Sequence, residues 1–264
     1  MIDKKNILGV NLTNVTKKEV LEYIIKGLGK KQKKYFIVTP NPEFLVLANK
    51  NSRFKNILNS AELALPDGIG VILAGKILGK TLKQRITGIE LLESLCSEIA
   101  EKPITVGFLG GGPGVADKTA ERLQNLYPNL KIVFASEEWL KNNVGLSKRF
   151  KISDLGFKNK ERQAINHKSS IINHQSIDML FVAFGAPKQE IWISENLENL
   201  PVKIAIGVGG AFDYISGKVK RAPKFIQDLG LEWLYRLIRQ PWRFKRQFSL
   251  LRFIWLVFKE RIRL

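Results

Sequence analysis

The alternation of short apolar runs with helix-like segments constrains the fold more than any other feature of this chain. The runs have the length of strands, and the segments between them have lengths typical of helices. Strands and helices that alternate in this way are typical of a parallel sheet covered on both faces. The sequence therefore predicts an α/β, Rossmann-like fold with a largely parallel sheet. The predicted strands are residues 7–10, 35–38, 104–109, 131–135, 179–184 and 203–208.

The clearest junction between a strand and a helix is the sequence DMLFVAFGAPKQE, residues 178–190. The apolar run ends at Gly185, and Pro187 suits the first position of a helix. The first turn of a helix carries unpaired backbone N–H groups and the positive end of the helix dipole, which favour an anion. A ligand phosphate is the candidate anion, and an ordinary junction without a ligand is the alternative.

Polar residues follow several predicted strands, at the end of the sheet where parallel folds bind ligands. Thr39 and Asn41 place a hydroxyl and a carboxamide there, although either residue could instead cap the next helix. Asp67, in LPDG, is either a helix cap or a carboxylate that accepts a proton from a hydroxyl. Arg85 could pair with a carboxylate, clamp a phosphate or remain a solvated loop cation.

Two glycine clusters also follow predicted strands and open helices. Glycine lets the backbone turn sharply and lets a ligand approach closely. Asp213, after the second cluster, could bind a ribose or a base edge, or cap the next turn. The spacing does not match G-x-G-x-x-G, which disfavours a dinucleotide cofactor. The clusters are Gly110, Gly111 and Gly112, and Gly209 and Gly210.

The charge of the chain is unusual, since it contains 43 basic and 24 acidic residues and has a net charge of +19. Such a balance indicates an anionic partner: nucleic acid, an anionic membrane or a phosphorylated substrate. Residues 214–264 contain 13 Lys and Arg against 3 acidic residues, together with three of the five tryptophans. Four arginines there recur at helical spacing, with Pro241 interrupting the helix, and a solvated basic face is the alternative. They are Arg236, Arg239, Arg243 and Arg246.

Residues 141–177 are polar and basic, and their lack of periodicity predicts an inserted surface loop. Both histidines, His167 and His174, lie there without Cys or acidic partners nearby, so no metal site is predicted. Cys96 is the only cysteine, which favours a reducing compartment and a small buried side chain. Neither a signal peptide nor a membrane-spanning segment is expected.

Several of these segments, taken in order and spacing, resemble the WecG/TagA/CpsF family of bacterial glycosyltransferases. The segments are TPNPE, LPDG, LKQRITG, GGGPG, FGAPKQE and GVGGAFDYISGKVKRAP, and the resemblance covers about residues 5–140 and 178–250. Enzymes of this family pass a sugar, typically N-acetylmannosamine or its uronic acid, from a UDP-sugar to a polyprenyl-diphosphate-linked sugar. The resemblance implies an inverting reaction without a metal or another cofactor.

The resemblance also implies roles for single residues. Asp67 is the expected general base on the acceptor hydroxyl, and Asp213 is expected near the uracil. Trp139 stands where the family usually has a tyrosine close to the nucleotide base, and both glycine clusters are expected to bind the nucleotide. The four C-terminal arginines are expected to contact the membrane or a diphosphate. The residues expected around the donor sugar and its diphosphate are Thr39, Asn41, Arg85 and Gln189.

The expected organisation is a catalytic domain, residues 1–213, and a basic helical appendage, residues 214–264, that associates with a membrane. The expected location is the cytoplasmic face of the bacterial plasma membrane, with no nucleic acid partner and a homo-oligomer as an open possibility. Two alternatives remain at this point: a basic protein that binds nucleic acid through the appendage, and a nucleotide-dependent oxidoreductase. The sequence leaves the transferred sugar open among mannosamine, its uronic acid and glucose-type donors.

Overall fold

The structure is a computed structural model, and it describes residues 2–29, 34–139, 176–241, 244 and 247–263. Its centre is a sheet of six strands in the order β4-β3-β8-β7-β5-β6, and every neighbouring pair is parallel. The sheet strands are β3 (Tyr35–Val38), β4 (Leu63–Ala64), β5 (Thr105–Gly110), β6 (Lys131–Ser136), β7 (Ile177–Ala183) and β8 (Val202–Gly207). The predicted α/β fold with a largely parallel sheet is therefore confirmed.

Helices separate most of these strands along the chain. They are α1 (Lys17–Leu28), α2 (Pro42–Lys50), α3 (Ser52–Ser60), α4 (Ile69–Ile77), α5 (Gly88–Ile99), α6 (Val115–Leu126), α7 (Lys188–Asn196), α8 (Ala211–Ile215), α9 (Lys224–Asp228), α10 (Glu232–Arg239) and α11 (Gln247–Ile262), and Leu197–Asn199 form one 3₁₀ turn.

The predicted strand at residues 7–10 is wrong, because the chain reverses there. β1 (Lys4–Ile7) and β2 (Val10–Thr13) form an antiparallel hairpin outside the main sheet. Leu8 and Gly9, with φ values of 51° and 82°, make the turn between them. Two successive residues with positive φ are typical of the tight turns that match the twist of a hairpin.

Side chains of the strands alternate between two cores, one on each face of the sheet. On β7, Leu180 and Val182 join the first core, whereas Met179 and Phe181 join the second. The hairpin and α2, α3, α4, α7 and α11 cover the first core, and α1, α5, α6 and α8 cover the second. Helices on both faces are thus confirmed, and they explain why the strands are apolar on both sides.

The chain runs to opposite faces of the sheet after two neighbouring strands. β5 leads to α6 on the second core, whereas the adjacent β7 leads to α7 on the first core. Such a reversal opens a crevice at the carboxyl ends of the strands, where parallel sheets bind ligands.

The two longest helices of residues 214–264, α10 and α11, are attached to the rest of the protein in different ways. Phe253, Leu256 and Val257 of α11 are buried in the first core, and Lys80 pairs with Glu260 at 2.9 Å. In contrast, no residue of α10 is buried. α8 spans the expected boundary at residue 213, and the division into a catalytic domain and an appendage stays a prediction.

Pro241 lies between α10 and α11, so Arg236 and Arg239 belong to a helix that ends before it. The predicted stripe of four arginines is therefore not carried by one continuous helix. Arg243 and Arg246 lie outside the described residues, as does the insertion at 141–177 except for its last two positions. Among the helices that the structure describes, none is long and apolar enough to cross a membrane.

Candidate active site

Asp67 lies at the carboxyl end of the sheet, three residues after β4. Its backbone N–H donates to the carbonyl of Pro40 at 2.9 Å, which ties it to the loop that follows β3. The residue that caps α4 is Gly68, without a side-chain hydrogen bond, so Asp67 is not the cap of that helix. The backbone N–H of Gly88, at the start of α5, instead favours the ionised Asp67 carboxylate and lowers its pKa. Asp67 is only partly buried, so part of this residue is exposed at the crevice.

The surroundings of Asp67 make its carboxyl easier to protonate. Burial in the crevice, together with the nearby carboxylates of Glu90 and Glu232, raises the pKa of Asp67 to about 7. The Arg85 guanidinium and the Gly88 N–H lower the pKa, but they do not cancel the effect of burial. A reachable carboxyl with a pKa near neutrality can take a proton from a hydroxyl at physiological pH.

Arg85 joins a charged network beside Asp67. Its Nη2 lies 3.4 Å from Oε1 of Glu90, and its side chain is mostly buried, so it is not a solvated loop cation. Arg221 approaches the same Glu90 oxygen at 3.9 Å. In the sequence Arg221 and Glu232 stand out only as members of the charged C-terminus, and no motif points to Glu90. The only available signal for Arg221 was its place in GKVKRAP, one of the segments that carry the resemblance.

Thr39 and Asn41 lie near Asp67, and both side chains already have partners. The buried Thr39 hydroxyl donates to the carbonyl of Gly207 at 3.3 Å. The Asn41 side-chain oxygen accepts from the backbone N–H groups of Glu43 and Phe44 at 2.9 and 3.2 Å, so Asn41 caps α2. The cap role foreseen as an alternative is thus present, and contact of either residue with a donor sugar stays a prediction.

Gln189 is buried and joins two loops at the end of the sheet. Its Oε1 accepts from the N–H groups of Gly185 and Gly209, both at 3.1 Å, which follow β7 and β8. Its Nε2 donates to Oε1 of Glu190 at 2.6 Å. Gln189 therefore fixes the positions of both loops, and its contact with a donor sugar stays a prediction. The first turn of α7, where an anion was predicted, contains the carboxyl of Glu190 itself.

The two glycine clusters lie next to cationic side chains. Gly110, Gly111 and Gly112 all have positive φ values, between 84° and 106°, which other residues rarely adopt. A Cβ on Gly112 would lie 3.9 Å from Nζ of Lys218. A Cβ on Gly210 would lie 2.9 Å from Nη1 of Arg236. Two cations beside bare backbone make a suitable place for the oxygens of a phosphate.

Asp213 and Arg236, predicted in different parts of the chain, lie together. Nη2 of Arg236 is 3.4 Å from Oδ2 of Asp213, and both side chains are largely buried. The Arg236 guanidinium also lies over the ring of Tyr214, 5.0 Å from its centre. Arg239, one turn further along α10, lies over Tyr235 at 5.5 Å and is exposed.

Trp139 is buried in the first core. Its ring lies 5.0 Å from that of Phe134 and 6.1 Å from that of Trp192. An indole enclosed in this way has little surface for a base to stack on, and its predicted place near the nucleotide stays a prediction. In the described parts of the chain, no cluster of three or more His, Cys, Asp or Glu side chains could hold a metal ion.

Comparison with known proteins gives consistent matches. The sequence profile described as "Glycosyl transferase WecG/TagA/CpsF family" matches residues 5–264. A protein of Bacillus spizizenii is 36% identical over 225 residues, which cover 85% of this chain and 79% of that protein. A protein of Bacillus subtilis is 33% identical over 224 residues, with the same two coverages of 85% and 79%. Both relatives are named N-acetylglucosaminyldiphosphoundecaprenol N-acetyl-beta-D-mannosaminyltransferase.

Proposed function

The chain belongs to the WecG/TagA/CpsF family of glycosyltransferases, and we propose that it moves N-acetylmannosamine, its uronic acid or a related hexose from a UDP-sugar to a polyprenyl-diphosphate-linked sugar. The acceptor is inferred from the relatives, whose names specify an N-acetylglucosaminyl-diphosphoundecaprenol. Such a transfer would serve the synthesis of a bacterial cell-surface polysaccharide or teichoic acid. The observation that carries the proposal is the partly exposed Asp67, with its raised pKa of about 7, at the end of the parallel sheet.

Asp67 would act as the general base of a single displacement. A hydroxyl oxygen of the acceptor sugar forms a bond to the anomeric carbon of the donor while the bond from that carbon to the UDP oxygen breaks. The hydroxyl proton passes to Asp67, and UDP leaves with the bonding electrons. One displacement inverts the anomeric centre and needs one base without a protein nucleophile.

Positive side chains would neutralise the departing UDP in place of a metal. Lys218 and Arg236 lie beside the two glycine clusters, where backbone can approach a diphosphate closely. Fixed charges aimed at developing negative charge stabilise a transition state, and losing one such contact typically costs about 3–4 kcal/mol. Metal independence is therefore part of the proposal. The donor contacts assigned to Thr39, Asn41, Arg85 and Gln189, and the uracil contact assigned to Asp213, are also retained.

The direct test is product formation from a panel of UDP-sugars and a short-chain polyprenyl-diphosphate-GlcNAc acceptor, with EDTA present throughout. We expect transfer from one donor, which would establish the donor and metal independence together. If no donor reacts but calorimetry detects UDP binding, the assigned acceptor is wrong. If UDP does not bind either, the assigned donor class is wrong.

We also propose that the C-terminal helices dock the enzyme peripherally at the cytoplasmic face of the membrane. Trp255 and Phe258 of α11 are 55% and 53% exposed, on the side opposite to its buried face. Arg252 and Lys259 are exposed on the same helix. An apolar stripe flanked by cations suits the boundary between acyl chains and anionic headgroups. On this proposal residues 1–213 form the catalytic domain, and residues 214–264 carry the membrane contacts as well as the cations, Lys218 and Arg236, that face the diphosphate.

Cosedimentation with vesicles that contain phosphatidylglycerol tests this docking. Because α11 completes the first core, substitutions on its outer face are better than removal of the segment. We expect Trp255→Glu with Phe258→Glu to abolish sedimentation, while Leu126→Glu, at a 68% exposed position on α6, leaves it unchanged. Sedimentation that survives the double substitution would contradict the docking surface. Tight binding of single-stranded RNA at these helices would support the nucleic acid alternative.

A further inference from the structure

The attachment of α10 to the rest of the protein depends on charged groups. None of its residues is buried, so it has no apolar anchor in either core. In its first turn Glu232 contacts Arg221, with 3.3 Å between Oε1 and Nε. In its second turn Arg236 contacts Asp213. A helix held in this way is more easily released than one held by burial.

Arg221 is the centre of the first contact. Its guanidinium faces three carboxylates in different directions: besides Glu232, Nη1 lies 3.3 Å from Oε2 of Glu93, and Nη2 lies 3.9 Å from Oε1 of Glu90. Glu90 and Glu93 belong to α5, whereas Glu232 belongs to α10. The planar fork of an arginine allows such contacts in several directions, and the side chain is largely buried.

Two of the carboxylates that contact Arg221, those of Glu90 and Glu232, also raise the pKa of Asp67. The charged side chains around Asp67 are Arg85 from the loop before α5, Glu90 from α5 and Glu232 from α10. Glu232 is the one member of this set that comes from α10, so its distance from Asp67 depends on whether α10 stays in place.

We propose that Arg221 is a positioning residue that fastens α10 to α5 and thereby holds Glu232 beside the carboxyl of Asp67. The part that concerns catalysis rests on the proposed role of Asp67 as base. Trp233 and Ile238 of α10 are exposed, so the helix that tunes the base also belongs to the surface proposed to meet the membrane. Release of α10 would remove a negative charge from the surroundings of the base and weaken it.

Hydrogen exchange tests the attachment without any assay of activity. Arg221→Lys keeps the charge but loses the fork, and we expect the amides of residues 232–239 to exchange about tenfold faster. The control is Lys224→Gln, since among the described residues Lys224 pairs only within α9, with Asp228 at 3.3 Å. It should leave exchange in α10 unchanged. Unchanged exchange in Arg221→Lys would overturn the attachment.

The pH dependence of kcat/KM tests the link to the base. Glu232→Gln removes a like charge near Asp67, so the acid limb should move to lower pH by about half a unit. Arg221→Lys should move it in the same direction, and the double variant should move it no further. If hydrogen exchange shows that Arg221→Lys loosens α10 but the acid limb of kcat/KM stays at the wild-type pH, the link between α10 and Asp67 is overturned. If the wild type transfers no sugar, the proposed function fails, and hydrogen exchange alone decides whether Arg221 fastens α10.

Discussion

Two carboxyls at the same end of the sheet have the same raised pKa and very different access. Burial raises the pKa of both Asp67 and Glu190 to about 7. Asp67 is partly exposed in the crevice, whereas Glu190 is fully buried. Within the described residues Oε2 of Glu190 has no hydrogen-bond partner. A raised pKa alone therefore does not identify a base, because the proton donor must also reach the carboxyl.

Glu190 has a structural explanation that Asp67 lacks. Its Oε1 accepts from Nε2 of Gln189, which leaves the Gln189 oxygen to accept from Gly185 and Gly209. Glu190 thereby sets the orientation of the amide that joins the loops after β7 and β8. A buried oxygen without a partner favours the neutral acid, and a neutral acid can still accept this hydrogen bond.

The largest expected difference between the two carboxyls is in turnover. Asp67→Asn should lower kcat by a factor of about 10²–10⁴, the usual contribution of a general base, while UDP binding persists. Glu190→Gln should change kcat by less than about threefold, because an amide replaces a neutral acid of similar shape. Single-turnover transfer and calorimetry with UDP measure both quantities. Retention of more than about a tenth of the wild-type rate in Asp67→Asn would exclude Asp67 as the base.

The second difference is in stability, and it depends on pH. The pKa of Glu190 is raised from 4.5 in the unfolded chain to about 7, so its contribution to stability is complete below about pH 4 and is lost as the pH rises through 7. Glu190→Gln removes this dependence. Relative to wild type, the variant should gain roughly 2 kcal/mol in unfolding free energy between pH 5 and pH 8. Urea titrations at both pH values measure the difference, and a constant offset would contradict a raised pKa at Glu190.

The smallest expected difference concerns the acid limb of the pH–rate profile. In the wild type kcat/KM should fall below about pH 7, because protonation of Asp67 removes the base. Glu190→Gln should leave this limb where it is. A limb that moves with Glu190→Gln would assign the titration to Glu190 and would break the contrast between the two carboxyls.

The main sheet could largely be predicted from the sequence, because a strand that is buried on both faces leaves a pattern within a few consecutive residues. β3, β5, β7 and β8 are apolar on both sides because both faces of the sheet are covered, so they are visible as continuous runs. The hairpin was missed because Leu8 and Gly9 fall inside such a run and make the turn by their backbone conformation. β4 was missed because its two residues are too few to show a period.

The site was partly predictable for a similar reason. Because parallel strands place their carboxyl ends at one edge, the loops after them could be expected to meet, as the loops that carry Pro40 and Asp67 do. The charged network could not be predicted, since Arg221 and Glu93 are 128 residues apart and no spacing rule links them. Nor could the enclosure of Glu190 be predicted, since burial depends on what the rest of the chain packs against it.

The two apolar faces of α11 have a consequence for how the protein is made. α11 follows all eight strands that the structure describes, yet Phe253, Leu256 and Val257 cover part of the first core. During synthesis that core therefore stays open until α11 has left the ribosome. The helix that closes it also presents Trp255 and Phe258 outwards. On the proposed docking, the helix that closes the core is also the one that meets the membrane, so the docking face forms at the same stage of synthesis as the closed core.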